Sequence, residues 1–207
     1  MGGDVAQRLT TLARDAVAAR LATGDRAVDA TVGNGHDLHF LAGAVGADGH
    51  VWGFDIQEGA LCGARRRLPA HLQHRVTLLH HGHEHMGAHV APGVAAIMFN
   101  LGYLPGGDHS VTTRVDTTIA ALEAALGLLA PGGCISVLAY TGHPGGREEA
   151  QAVAAWLREQ PPSCRWVLLN PEPPAARTPR LYLISLVRQQ RAPARIGGQY
   201  PRSKSMG

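Results

Sequence analysis

Aromatic residues are scarce in this chain. They make up 5% of 207 residues, and no strand-like segment gathers them on one face. This argues against a sheet that stacks unpaired bases, as an RNA-recognition module does. No apolar run approaches the roughly 20 residues that span a bilayer, so no membrane association is expected. Residues 1–11 carry acidic and polar side chains where a secretory leader would need an apolar stretch. The three cysteines, Cys62, Cys134 and Cys164, are far apart, odd in number and form no CxxC. They read as reduced thiols of a cytoplasmic protein. Nearly all the basic residues are arginine, and Asp and Glu are absent from residue 173 onward. That stretch holds Arg177, Arg180, Arg188, Arg191, Arg195, Arg202 and Lys204. A basic edge suits a polyanion such as RNA. A solvated basic tail accounts for the same composition equally well.

With 45% hydrophobic and 17% charged residues, the composition is that of a soluble globular protein. The length suffices for one domain with a sizeable core. Residues 1–188 read as that domain, and 189–207 as a basic, flexible tail. Helical apolar spacing covers residues 4–22, 36–45, 58–68, 115–129 and 148–160, with a short helical stretch after His83. Strand-like segments cover 26–32, 50–55, 75–80, 94–100, 134–140, 165–169 and 181–188. A polar loop is expected over 101–114. Alternating strands and helices predict an α/β fold: a doubly wound, mostly parallel, seven-stranded sheet. Ligands of such folds bind beyond the carboxyl ends of the strands, at the switch point of strand order. The residues with special chemistry fall just after strands.

The first constellation is Asp29-Ala30-Thr31-Val32-Gly33-Asn34-Gly35-His36-Asp37. Gly33 and Gly35 permit a tight turn and close approach of a ligand to the backbone. Asp55 ends the next strand about 20 residues on, where a carboxylate binds ribose hydroxyls. This fits any cofactor with an adenosine end. A dinucleotide motif wants Gly or Ala where this chain has Leu38, which would hinder the packing of helix on strand. An acidic residue ahead of the glycines, Asp29, opposes a pyrophosphate and suits a ligand with a sulfonium and an ammonium group. S-adenosylmethionine is therefore favoured over a nicotinamide cofactor. A glycine turn without a ligand is the lesser, competing reading of the motif alone.

The second constellation, residues 99–110 (FNLGYLPGGDHS), follows the fourth strand and faces the same crevice. The Asn100 side-chain carbonyl and nearby main-chain carbonyls can accept hydrogen bonds from an amino group. That would aim the nitrogen lone pair at a methyl carbon, and in methyl transfer positioning supplies much of the rate. An alkylamine must also lose a proton before or during attack. Asp108, His109 and His143 are candidates to receive it, and the sequence does not choose among them. His80, His81, His83, His85 and His89 form no HExxH, because position 87 is Gly, and no cysteine joins them. No metal site is expected. Most read as surface residues, with one or two bordering the adenine or the substrate.

The runs DATVGNGHD (29–37), FDIQ (54–57), FNLGYLPGGDHSVTT (99–113) and YTGHPGGREEA (140–150) resemble the bacterial tRNA 5-(aminomethyl)-2-thiouridine methyltransferase family, also described as rRNA methylases. The similarity runs from about residue 5 to 188. It implies a class I methyltransferase fold that uses S-adenosylmethionine. It further implies methylation of the primary amine of 5-aminomethyl-2-thiouridine at the wobble position, in the anticodon stem-loop of tRNA. Carried over by position, Asn34 and Asp37 would border the methionine part, and Asp55 and Gln57 the ribose. His81 and His83 would approach the adenine, while Asn100, Tyr103 and Pro105 would line the amine pocket. Gly82-His83 stands where the family often has Ser-His, so one hydroxyl contact to the cofactor is missing. The arginine-rich end beyond Arg188 falls outside the shared region. A homodimer is compatible with the sequence. Competing readings are a methyltransferase for another RNA site or a small amine, and a nucleotide-binding module without catalysis.

Overall fold

The computed structural model describes residues 2–170 and 178–187. Arg177, the basic residues from Arg188 onward and the expected tail over 189–207 lie outside the described residues. Among the described residues, no helix is long and apolar enough to cross a membrane.

Seven strands form one sheet: β1 (Arg26–Asp29), β2 (His50–Asp55), β3 (Val76–His80), β4 (Val94–Leu101), β5 (Leu129–Ala139), β6 (Cys164–Leu168) and β7 (Arg180–Leu186). Their order is β3-β2-β1-β4-β5-β7-β6. The first five are parallel, and β7 runs antiparallel to both β5 and β6. The helices are α1 (Gly2–Ala18), α2 (His36–Ala44), α3 (Glu58–Arg67), α4 (Met86–His89), α5 (Val115–Leu128) and α6 (Gly146–Arg158). This is the doubly wound α/β class that the sequence predicts.

Strand alternation makes the two layers. On β4, Ile97, Phe99 and Leu101 join a buried cluster with Leu122 and Ala125 of α5 and Val153 and Leu157 of α6. Ala96 and Met98 face the other way, into a cluster with Leu9, Ala13 and Val17 of α1 and Leu38 and Leu41 of α2. Burying a side chain such as Phe99 or Leu41 stabilises by about 1.5–3 kcal/mol. Leu38 does not hinder the packing of α2 on the sheet. The room comes from Gly53 on β2, where a Cβ would lie 2.6 Å from Val32 Cγ2 and 3.0 Å from Leu38 Cδ1. The compensating small residue sits on the neighbouring strand, not in the turn.

Most boundaries agree with the sequence reading to within two residues, but β1 ends at Asp29 rather than at residue 32, and three further differences stand out. Helix α1 stops at Ala18, four residues short of the expected end. Residues 70–75 form a 3-10 turn before β3, where nothing was expected before the strand at residue 75. Strand β5 begins at Leu129, so Pro131-Gly132-Gly133 lies inside the strand. The pairing passes from Val94↔Leu129 to Ala96↔Cys134, which makes the segment a bulge. Gly133 fits there because a Cβ would lie about 3 Å from the carbonyl oxygens of Val94, Ala95 and Ala130.

Candidate active site

The carboxyl ends of β1, β2, β4 and β5 open into a cavity of about 1030 Å³. Strand order reverses between β1 and β4, so this is the expected crevice. Of the residues predicted from sequence, Gly33, Asn34, Asp37, Asp55, Gln57, His81, His83, Asn100, Tyr103, Pro105, His109 and His143 line it. Asp29, Gly35 and Asp108 are not among the lining residues.

Asp55 closes β2 at the cofactor end. Its Oδ2 accepts the Gly33 N–H and its Oδ1 accepts the Gln57 N–H, each at 2.8 Å. Burial raises its pKa above the ordinary carboxylate value, and these N–H donors work against that rise. A carboxylate oxygen has two lone pairs, so each still has one for a ribose hydroxyl. The donor set therefore fits the adenosine part of S-adenosylmethionine. Gly35 serves the frame instead. Its φ is +78°, and a Cβ there would lie 2.7 Å from Ala64 Cβ of α3.

Asp29 is fully buried. Its Oδ1 accepts the Thr31 N–H at 3.1 Å, and Oδ2 has no partner among the described residues. Burial first, and the nearby Asp37 carboxylate second, hold its carboxyl well above the usual range. Asp29 thus lies behind the cavity wall rather than on it. The carboxylate of this run that faces the cavity is Asp37.

The cavity wall at the end of β4 is built around Asn100. Its main-chain N–H donates to Thr31 Oγ1 at 2.8 Å, and its Nδ2 donates to Asp37 Oδ2 at 2.7 Å. The other Asp37 oxygen accepts the Arg14 Nε–H at 2.6 Å. Arg14 comes from α1, whose Ala6, Thr10 and Arg14 form one stripe along the cavity. The adjacent stripe, Leu9, Ala13 and Val17, is the buried one. Tyr140 closes the wall. Burial, and then Asp37, push its phenol up to about 12.

The loop after β4 is not free. Tyr103 and Thr112 form an antiparallel bridge, and the Thr113 N–H donates to the Gly102 carbonyl at 2.9 Å. Thr113 Oγ1 and Thr118 Oγ1 donate to the two oxygens of the buried Glu149 at 2.8 and 2.6 Å. Asn34 Nδ2 reaches the Pro105 carbonyl at 3.2 Å, joining this loop to the cofactor turn. The Tyr103 ring lies 4.0 Å from that of His109, tilted by 34°, and edge-on to His143 at 5.8 Å. His143 Nδ1 lies 2.9 Å from the Pro144 carbonyl, an acceptor only, so in the neutral ring Nε2 carries the lone pair. Asp108 is exposed, and its Oδ1 is engaged by the Ser110 N–H at 2.8 Å.

His83 is buried with its ring 5.7 Å from that of Phe99, and burial lowers its pKa. His81 and His89 lie together at 4.6 Å. Among the described residues, no group of three or more His, Cys, Asp or Glu is placed to hold a metal ion. Arg14, Thr10 and Tyr140 were missed in the sequence. Arg14 continues the Ala6–Thr10 stripe, but helical spacing alone does not say that this stripe borders the crevice.

Solved structures share the fold. The sequence profile of the family described as "Putative rRNA methylase" matches residues 51–184. The Arabidopsis thaliana protein named "tRNA (mnm(5)s(2)U34)-methyltransferase, chloroplastic" is 40% identical over 71% of this chain. The chain spans 59% of that protein's length. A crystal structure from Clostridium thermocellum, described as a "putative rRNA-methylase", superposes with a TM-score of 0.83 at 40% identity. It covers 86% of this chain and 97% of its own. A Streptococcus mutans protein described as a "putative methyltransferase", in complex with SAH, superposes with a TM-score of 0.77 at 32% identity. The coverage is again 86% of this chain and 97% of the other.

Proposed function

The chain belongs to the family described as "Putative rRNA methylase", and from that premise we propose that this S-adenosylmethionine-dependent methyltransferase acts on tRNA. Its acceptor is the primary amine of 5-aminomethyl-2-thiouridine at the wobble position, and its product is the 5-methylaminomethyl form. The observation that carries this reading is the Asn100 carboxamide. Its Nδ2 is committed to Asp37 at 2.7 Å, so Oδ1 is the atom left to receive an amine hydrogen. The name of the Arabidopsis relative supports the same acceptor.

When bound, the cofactor supplies a methyl group on a sulfonium, an electrophile. Asn100 Oδ1 accepts one N–H of the amine, which turns the nitrogen lone pair away from Oδ1. The nitrogen bonds to carbon in line with the leaving sulfur, so this orientation supplies much of the rate. The amine must also lose a proton before or during attack. Of the candidate acceptors, His109 and His143 line the cavity and Asp108 does not. Tyr103, 37% exposed at the cavity wall, offers a face to a flat base. Such stacking is worth about 1–3 kcal/mol.

The test incubates the protein with S-adenosylmethionine and tRNA from cells that stop at the aminomethyl stage, followed by mass spectrometry of the nucleosides. Conversion of 5-aminomethyl-2-thiouridine to its methylated form is expected. A methyl group on another nucleoside, or on a free amine alone, would move the assignment to another RNA site or to a small amine.

A further inference from the structure

We propose that Arg14 is a positioning residue that acts through Asp37 to keep the Asn100 carbonyl oxygen turned toward the acceptor amine. The inference deepens the function proposed above and rests on it for the identity of the amine.

A carboxamide has a donor end and an acceptor end of nearly the same shape. A half-turn about the last side-chain bond would exchange them, and an NH₂ group facing a neutral amine would donate to its lone pair and occupy the electrons needed for attack. The choice must be made by a neighbour, and Asp37 makes it. A carboxylate accepts only, and Asp37 Oδ2 stands 2.7 Å from the Asn100 amide, so Nδ2 must be the near atom. Asp37 is fixed in turn. Its other oxygen is gripped by the Arg14 Nε–H at 2.6 Å, and its side chain is 8% exposed. A charge-assisted bond of this length holds the carboxylate plane and hence the direction of Oδ2. The Asn100 main chain is fixed independently by Thr31 Oγ1 at 2.8 Å. Side-chain orientation is thus the freedom left to Asn100, and Arg14 and Asp37 remove it.

The arrangement brings α1 into the chemistry. Arg14 is 23 residues from Asp37, and Asp37 is 63 from Asn100. Arg14 also borders the cavity, so the competing role is a direct grip on the cofactor's carboxylate. The two roles differ in what they predict. A grip on the cofactor shows in cofactor affinity, whereas orientation of Asn100 shows in turnover and only while Asn100 is present.

The experiment compares wild type, Arg14→Ala, Arg14→Lys, Asn100→Ala and the double variant Arg14→Ala/Asn100→Ala. Single-turnover rates are measured on tRNA, and S-adenosylmethionine affinity is measured by calorimetry. Arg14→Ala is expected to slow methyl transfer by about 10²-fold, the cost of a misplaced reacting group. Cofactor affinity should change by no more than a few-fold. Arg14→Lys keeps a cation and a donor, and should recover part of the rate. The double variant should be no slower than Asn100→Ala alone, since residues that act as one unit are not additive. Additive losses, or a fall in cofactor affinity that accounts for the fall in rate, would overturn the proposal. A second readout needs no acceptor: the Asn100 side-chain NH₂ signals in NMR spectra of the protein without tRNA. In the wild type the proton donated to Asp37 should be shifted away from free-amide values and protected from exchange with water, and in Arg14→Ala it should move toward the free-amide position and lose protection. An unchanged signal in the variant would overturn the proposal. If the wild type leaves 5-aminomethyl-2-thiouridine unmethylated, the wobble assignment falls, and the NMR comparison still decides the role of Arg14.

Discussion

The two ends of the cleft are held by different means. At the cofactor end, carboxylates accept backbone N–H groups of the turns that follow β1 and β2: 2 residues away for Asp29–Thr31 and for Asp55–Gln57, and 22 away for Asp55–Gly33. At the acceptor end, side chains meet side chains or distant backbone. The separations there are 23 for Arg14–Asp37, 63 for Asp37–Asn100, 69 for Thr31–Asn100 and 36 for Thr113–Glu149. The first arrangement forms once β1 and β2 pair and the turns after them close. The second exists only once α1, the β4 loop and α6 have docked on the sheet. The cofactor end should therefore be robust and local, and the acceptor end precise but dependent on the whole tertiary structure.

The largest test of this division removes the centre of the acceptor end. Asn100→Ala should lower the single-turnover rate by about 10²–10³-fold, the range seen when one aligned hydrogen-bonding group is deleted from an active site. Calorimetric affinity for S-adenosylmethionine should stay near the wild-type value. A parallel loss of affinity would erase the boundary between the two ends. The reciprocal change is Asp55→Ala. Hydrogen bonds to a charged group contribute about 1.5–3 kcal/mol each, so losing the ribose contacts should weaken cofactor binding by about 10²-fold. The rate at saturating cofactor should change little. Undiminished affinity would displace the ribose from Asp55.

The same contrast explains what could be read from the amino-acid order. Gly33, Asn34, Asp37, Asp55 and Gln57 are legible because they occupy fixed places after two successive strands, and all line the cavity. Asp29 is less legible, because a strand pattern does not say how deep a residue lies, and burial raises its carboxyl's pKa. Asn100 and Tyr103 are legible as positions after β4. The partners that orient Asn100 are not, because no periodicity links residues 14, 37 and 100. Asp108 looked equivalent to His109 and His143 in the sequence. Only the fold of the loop turns it outward, with its oxygen engaged at Ser110. The alternation of elements predicted the sheet, while the bulge at Pro131–Gly133 arises from pairing with β4, which local composition does not encode.

Glu149 tests the dependence of the acceptor end on distant anchoring. It is 2% exposed and receives both Thr113 and Thr118. Glu149→Ala would leave two hydroxyls without their acceptor, at a cost of about 1–3 kcal/mol in stability. Thermal denaturation measures that cost. If the loop is held as described, the KM for tRNA should also rise while cofactor affinity stays constant. A stability loss with unchanged tRNA kinetics would mean that the Tyr103–Thr112 bridge and the Asn34–Pro105 contact hold the loop unaided.

The smallest expected effect concerns protons and belongs to the cofactor end. Burial lowers the pKa of His83 from 6.5, the nearby Glu84 opposes that shift only in part, and the ring packs on Phe99. Between the folded pKa and 6.5, the unfolded chain then binds more protons at this residue than the folded protein does. Stability accordingly rises with pH through that window. The contribution is fully present above 6.5 and is lost as pH falls toward the folded value. Between pH 7.5 and 5.5, the Tm of the wild type should fall more than that of His83→Asn, whose side chain carries no titrating proton. The difference should be smaller than the Tm loss caused by Glu149→Ala at neutral pH. Asn100→Ala alters the other end and should keep the wild-type slope. Equal slopes in wild type and His83→Asn would mean that His83 finds enough water or partner charge to ionise in place. A flattened slope in Asn100→Ala would mean that protonation at one end is felt at the other, and the two ends would have to be treated as one electrostatic unit.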